Sequence, residues 1–197
     1  MHDPIPLGIL LFDDVEVLDF AGPFEVFSLA KHTQGGSAFA VTTISETGKP
    51  VTASNGLVVL PTASFETATD FEVLIVPGGY GARVGQYKNL ALMQWLRAQA
   101  GKVNLIASVC TGSFLLAKAG LLEGRAATTH WAHNDAFMQM HPEIELRPGV
   151  KFVDQGKIIT SGGISAGINM SFYIVKKLVG RTEALETAKQ MEYDIVL

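Results

Sequence analysis

The sequence predicts an α/β fold: a doubly wound, mostly parallel sheet with helices on both faces. Two observations carry that expectation. Short continuous apolar runs, the pattern of strands covered on both sides, alternate with segments whose apolar residues recur at helical spacing. Most of the runs also stop abruptly at acidic, Pro-Gly or Gly-Gly turns, which suits strands joined by crossover helices.

In chain order, residues 7–12 form the first run, closed by Asp13-Asp14, and read as a buried strand. Residues 21–31 read as a helix with Pro23 near its first turn, where proline is tolerated. Strands follow at 39–44, 57–60 and 73–76, the last stopped by Pro77-Gly78-Gly79. A helix at 89–100 carries Leu92, Trp95 and Leu96 at helical spacing. The strand at 103–107 runs straight into Ser108-Val109-Cys110-Thr111-Gly112, and a helix at 113–119 is closed by Gly120. Strands at 126–129 and 157–160, with helices at 165–179 and 182–191, complete the pattern.

Bulk properties bound the function. A chain of 197 residues suits one compact domain spanning 1–197. With 48% hydrophobic and 17% charged residues it can bury a full core, and the apolar surplus suggests a homodimer. A net charge of -4 offers no excess base to neutralise phosphates, which argues against a nucleic-acid partner. One cysteine excludes a disulfide framework, and the spacing of His130, His133 and His141 matches no metal motif, so no metal is expected. No run approaches the roughly eighteen apolar residues of a membrane span. Met1-His2-Asp3-Pro4 carries acid where a signal peptide needs base, so the cytoplasm is the expected compartment.

Ligands of such sheets bind beyond the carboxyl ends of the strands, which singles out four places. Cys110 lies between a strand and a helix, where free N–H groups favour a thiolate and the Thr111 N–H can meet a developing anion. It forms a thiol counterpart of the serine nucleophile elbow. Asp19 lies between Leu18 and Phe20, an apolar setting, although it could equally cap the following helix. Gly78-Gly79 lets a backbone N–H face a ligand, or is simply a turn. His130 ends the strand at 126–129 and is either a substrate contact or a structural histidine. The stretch from Ser161 to Gly167 fits no phosphate-binding motif and reads as close packing beside the cysteine, with Gly162 at its start.

Taken together, Leu18-Asp19-Phe20-Ala21-Gly22-Pro23, Val76-Pro77-Gly78-Gly79, Ser108-Val109-Cys110-Thr111-Gly112 and Ala127-Thr128-Thr129-His130-Trp131 resemble the ThiJ/PfpI superfamily. The likeness extends over residues 7–193 and implies a class I glutamine amidotransferase-like, flavodoxin-like fold. Within the superfamily the segments look most like the isonitrile hydratase branch. That implies Cys110 as nucleophile, Asp19 as its carboxyl partner and Thr111 as an orienting group. Gly79 and Thr111 would supply N–H groups to developing charge, with Gly78, His130 and Gly162 around the substrate. The implied reaction adds water to an isonitrile without a cofactor. Asp19 would share one proton with Cys110, its own pKa raised by burial. Two residues depart from pattern. Asn169 stands where the branch would carry Asp, and Thr111 stands where peptidase-like members place His, which weighs against a protease. A glyoxalase acting on methylglyoxal remains open, as does redox sensing through Cys110. So does a ligand-sensing domain like that of AraC-type regulators, whose helix-turn-helix region is not seen after Tyr193.

Overall fold

The computed structural model describes residues 3–196. The chain opens with β1 (Ile5–Leu10), α1 (Val17–Leu29), β2 (Phe39–Ser45), β3 (Val51–Thr52), β4 (Val58–Val59) and β5 (Ala63–Ser64). β6 (Val73–Val76) leads into α2 (Tyr80–Val84) and α3 (Leu90–Lys102), and β7 (Leu105–Ser108) leads into α4 (Gly112–Lys118). Next come β8 (Ala126–Ala127), α5 (Asn134–Met140), β9 (Glu145–Leu146), β10 (Phe152–Asp154) and β11 (Ile158–Ser161). Two helices follow, α6 (Ala166–Leu178) and α7 (Arg181–Gln190).

Seven strands form one sheet in the order β10-β11-β7-β6-β1-β2-β5. All neighbours run parallel except β10 and β11. Taken in chain order, the parallel strands β1, β2, β6, β7 and β11 have the spatial order 2-1-3-4-5 of a flavodoxin-like doubly wound sheet. Every residue of β6, β7 and β11 is buried, as expected of strands covered on both faces. α1, α6 and α7 pack together as one group, and α4 packs with α2 and α3 as another. The strand order reverses between β1 and β6, so the crevice beyond their carboxyl ends is where a ligand is expected.

Several expected elements change on folding. α1 begins at Val17 rather than near 21 and runs through Pro23. Proline there removes the N–H that would have met the Asp19 carbonyl one turn back, and tertiary packing outweighs that loss. The strand expected at 57–60 contributes only Val58–Val59, paired with β3 outside the main sheet, and Val58 and Leu60 are 64% and 68% exposed. The strand expected at 126–129 ends at Ala127, because the Thr128 N–H leaves the ladder and donates to Thr160 Oγ1 at 2.9 Å. No helix among the described residues is long and apolar enough to cross a membrane.

Candidate active site

The loops after β1, β6, β7 and β11 interlock. The Glu16 N–H donates to the Gly78 carbonyl at 3.0 Å and the Gly81 N–H to the Asp14 carbonyl at 3.0 Å, which ties the start of α1 to the end of β6. The Val109 N–H donates to the Val76 carbonyl at 3.0 Å, and the Cys110 N–H to the Gly162 carbonyl at 3.2 Å, which fixes the turn after β7 from both sides. The Cys110 carbonyl in turn accepts from Ser113 Oγ and Thr129 Oγ1, each at 3.1 Å. Held this way, Cys110 adopts φ +56°, a conformation that side-chain-bearing residues enter at a cost of about 1–3 kcal/mol. Ile164 in the facing loop has φ +51°, which is rarer still for a β-branched residue. Two strained residues thus face each other across the site.

Asp19 sits in the first turn of α1, fully buried. It is not the helix cap: the cap position is Glu16, and Asp19 Oδ2 instead accepts the Gly78 N–H at 3.0 Å. Oδ1 accepts no hydrogen bond from a nitrogen or oxygen donor. Burial, assisted by the nearby Glu16 charge, raises the Asp19 carboxyl to a pKa of about 7, against the Gly78 N–H and the Cys110 thiol, which favour the carboxylate. Burial also pushes the Cys110 thiol up to about 12, with the Asp19 charge adding to it. The N–H groups of Thr111 and Ile164 and the Thr111 side chain pull the other way. Burial and the Asp19 charge thus work against the thiolate that a helix start was expected to favour. The two groups titrate as a pair that carries one proton between the two steps.

Thr111, 1% exposed, links the elbow to the glycine turn. Its Oγ1 accepts the Gly79 N–H at 2.9 Å and donates to the Gly79 carbonyl at 3.2 Å. This corrects the expected roles of both glycines. The Gly79 N–H is committed to Thr111 and the Gly78 N–H to Asp19, so neither is free to receive charge on a substrate. Their glycine identity has a different cause. A Cβ at Gly78 would lie 2.5 Å from the Thr111 nitrogen, and Gly79 has φ +121° with Asp14 and Glu16 backbone atoms where its Cβ would be. Gly162 is likewise a clamp: its carbonyl holds Cys110, and its N–H donates to the Lys151 carbonyl at 2.9 Å.

A cleft of about 250 Å³ opens onto Cys110, Thr111 and Gly79. His130 borders it, with Nδ1 accepting the Ala132 N–H at 3.2 Å, which leaves Nε2 as the ring's remaining nitrogen. His133 also lines the cleft, and burial lowers its pKa, with Arg83 and His130 adding to the effect. Sequence reasoning missed Glu16, Tyr80, Arg83 and Ile164, all of which line the same cleft. Tyr80 and Arg83 ride on α2, whose five residues are too few for a helical period to show. Among the described residues, no group of three or more His, Cys, Asp and Glu side chains could hold a metal ion.

Residues 7–177 match the DJ-1/PfpI family. An isonitrile hydratase of Pseudomonas putida is 37% identical over 190 residues, which cover 96% of this chain and 78% of that protein. The HTH-type transcriptional regulator GbdR of Pseudomonas aeruginosa is 28% identical over 98% of this chain, which spans only 52% of the regulator. A ThiJ/PfpI family protein from Pseudomonas syringae has a solved structure that matches with a TM-score of 0.86 at 28% identity, covering 98% of this chain and 76% of that one. Drosophila melanogaster DJ-1beta shares the fold, with a TM-score of 0.85 at 23% identity over 98% of this chain and all of that one.

Proposed function

The chain belongs to the DJ-1/PfpI family, and from that premise we propose that it hydrates isonitriles to N-substituted formamides, with Cys110 as nucleophile and Asp19 as its proton partner. The observation that carries this reading is the buried Asp19 carboxyl beside Cys110, whose side chain lines a small cleft; burial raises both groups, so that the pair favours holding one proton. Hydration needs that inventory. The sulfur bonds to the terminal carbon of R–N≡C while the pair's proton is delivered to the same carbon, which gives a thioimidate and leaves Asp19 as carboxylate. The carboxylate then takes a proton from water as the water oxygen adds to that carbon. The remaining water proton moves from the added oxygen to the nitrogen, the C–S bond breaks to release the formamide and a thiolate, and the proton that Asp19 took from water restores the pair to one proton. The N–H groups of Thr111 and Ile164, which face the sulfur, stabilise charge as it forms and as it leaves. Thr111 keeps the elbow in register through both of its bonds to Gly79. In this reading Cys110 and Asp19 are catalytic, Thr111 supports them, and His130 borders the substrate. The activity would be that of a lyase (hydro-lyase).

The test is a panel of isonitriles and α-ketoaldehydes offered to the wild type and to Cys110→Ala, with formamide and hydroxyacid products quantified. Formamide from the wild type alone supports the proposal. Turnover confined to α-ketoaldehydes overturns it in favour of a glyoxalase. A second reading has its own support, since 98% of this chain aligns with the regulator GbdR: a ligand-sensing domain would bind without turnover of either class.

A further inference from the structure

Among the described residues, the cleft beside Cys110 contains one permanently charged cation, and that cation has no anionic partner. Arg83 is half-buried at the end of α2 and lines the cleft together with Tyr80, His130 and His133. Among the described residues it forms no ion pair and no hydrogen bond. Its Nε is buried without an acceptor. Its guanidinium carbon lies 5.8 Å from the centroid of the Tyr80 ring, a contact that holds the side chain in place without neutralising it. A buried guanidinium N–H that lacks an acceptor is costly, and a planar fork of donors is suited to a carboxylate.

The charges of the cleft are also separated. Glu16, the one acidic residue lining it, raises the proton affinity of Asp19 and so lies toward the nucleophile pair. Arg83 acts instead on His133, whose pKa it helps to depress, so His133 is neutral at neutral pH and adds no charge of its own. Arg83 and Glu16 do not satisfy each other, as no ion pair joins them. Glu16 is thus tied to the Asp19 side of the cleft, through its N–H bond to the Gly78 carbonyl, while Arg83 keeps a guanidinium N–H without an acceptor.

We propose that Arg83 forms an anion subsite in this cleft, and that the physiological substrate is a small molecule bearing a carboxylate or similar anion away from its reacting group. A volume of about 250 Å³ restricts that substrate to a compact molecule rather than a polymer end. The subsite stands on the geometry alone, whereas its use by an isonitrile substrate rests on the hydratase reading.

Two measurements keep those claims separate. Cys110 is the only cysteine, so its alkylation reports directly on the cleft. At one pH, the ratio of rate constants for iodoacetate and iodoacetamide is measured in the wild type, Arg83→Gln and Arg83→Lys. Loss of a nearby partly buried cation is expected to lower the ratio at least about fivefold in Arg83→Gln, with Arg83→Lys retaining a higher ratio than Arg83→Gln. A smaller fall in Arg83→Gln, or a Lys variant as low as the Gln variant, overturns the subsite. In the second measurement, kcat/KM for an isocyano-carboxylate is compared with that for its methyl ester. The wild type is expected to favour the acid and Arg83→Gln to lose that preference. An alkylation ratio that behaves as expected while neither isonitrile reacts retains the subsite and removes the hydratase reading. Equal preference for acid and ester in the wild type overturns the proposed substrate class.

Discussion

Replacing Asp19 with Asn separates a proton donor from a structural carboxylate, and the structure sets the size of the effect. The carboxyl moves from an ordinary 3.8 to about 7 on folding, and the side chain is fully buried, so solvent screens little of the cost. Between those two values the native state binds a proton that the unfolded chain has released. Wild-type stability therefore falls as pH rises through that window, and the whole penalty is present above pH 7. From pH 5 to pH 8 about two of these units are traversed, at about 1.4 kcal/mol each, which makes the change on the order of 3 kcal/mol. Asn does not titrate. Its Oδ1 can keep the Gly78 N–H, while its amide group occupies the place of an oxygen without a conventional partner, a pH-independent cost of about 1–3 kcal/mol. Urea unfolding at both pH values should then show Asp19→Asn gaining about 3 kcal/mol on the wild type between pH 5 and pH 8. At pH 8 turnover should fall at least about a hundredfold, because the amide cannot carry the proton. A stability difference that is the same at both pH values would refute the raised pKa, and an active Asn variant would remove Asp19 from proton delivery.

Four further outcomes are expected. Cys110→Ser should fold with unchanged circular dichroism and retain less than about a tenth of the wild-type turnover, since an alkoxide is far harder to form than a thiolate; a higher residual rate removes the nucleophile assignment. The rate constant kcat/KM should rise about tenfold per unit as pH approaches about 7 from below and level off above it, because losing one proton from the pair creates the active form; a rate that falls through that range contradicts the sharing of one proton. Gly163→Ala places a Cβ against the His130 ring, so a loss of about 1–3 kcal/mol and an altered KM are expected; unchanged KM with unchanged stability would show that the ring moves aside freely. Sedimentation is expected to show a homodimer, and a single 21.1 kDa species at micromolar concentration would refute that proposal.

The sheet was legible because its central strands are unbroken apolar runs. Val73–Val76, stopped by Pro77-Gly78-Gly79, and the run ending at Ala107 are too short for helices and fit strands covered on both faces, which is where the structure puts them. Cys110 and Asp19 were legible from position: one follows a strand directly, and the other is an acid between two apolar residues. The roles of the glycines were not legible, because sequence shows that a backbone can approach closely but not what approaches it. At Gly78 and Gly79 the neighbour is Thr111, and the N–H groups are consumed within the protein. Arg83 and Ile164 left even less trace. The former sits on a helix of five residues, and the latter in a loop whose backbone geometry no residue type announces.

What favours the proposed hydration over hydrolysis at this elbow is the location of the proton. Peptide or amide cleavage needs a base that withdraws a proton from the nucleophile and then supplies one to a leaving nitrogen, the work of an imidazole bonded to the sulfur. Neither imidazole lining the cleft is hydrogen-bonded to Cys110: His130 uses Nδ1 on the Ala132 N–H, and His133 is held neutral. The group coupled to the sulfur is a buried carboxyl whose proton affinity has been raised to match neutral pH. Addition of S–H across a single carbon uses one proton, which stays on that carbon, and water supplies its replacement as it displaces the sulfur. A pair that holds one proton over several pH units is therefore charged for the first step and restored by the second. An imidazole base would instead compete with Asp19 for the same proton, and among the described residues neither His130 nor His133 is hydrogen-bonded to the sulfur.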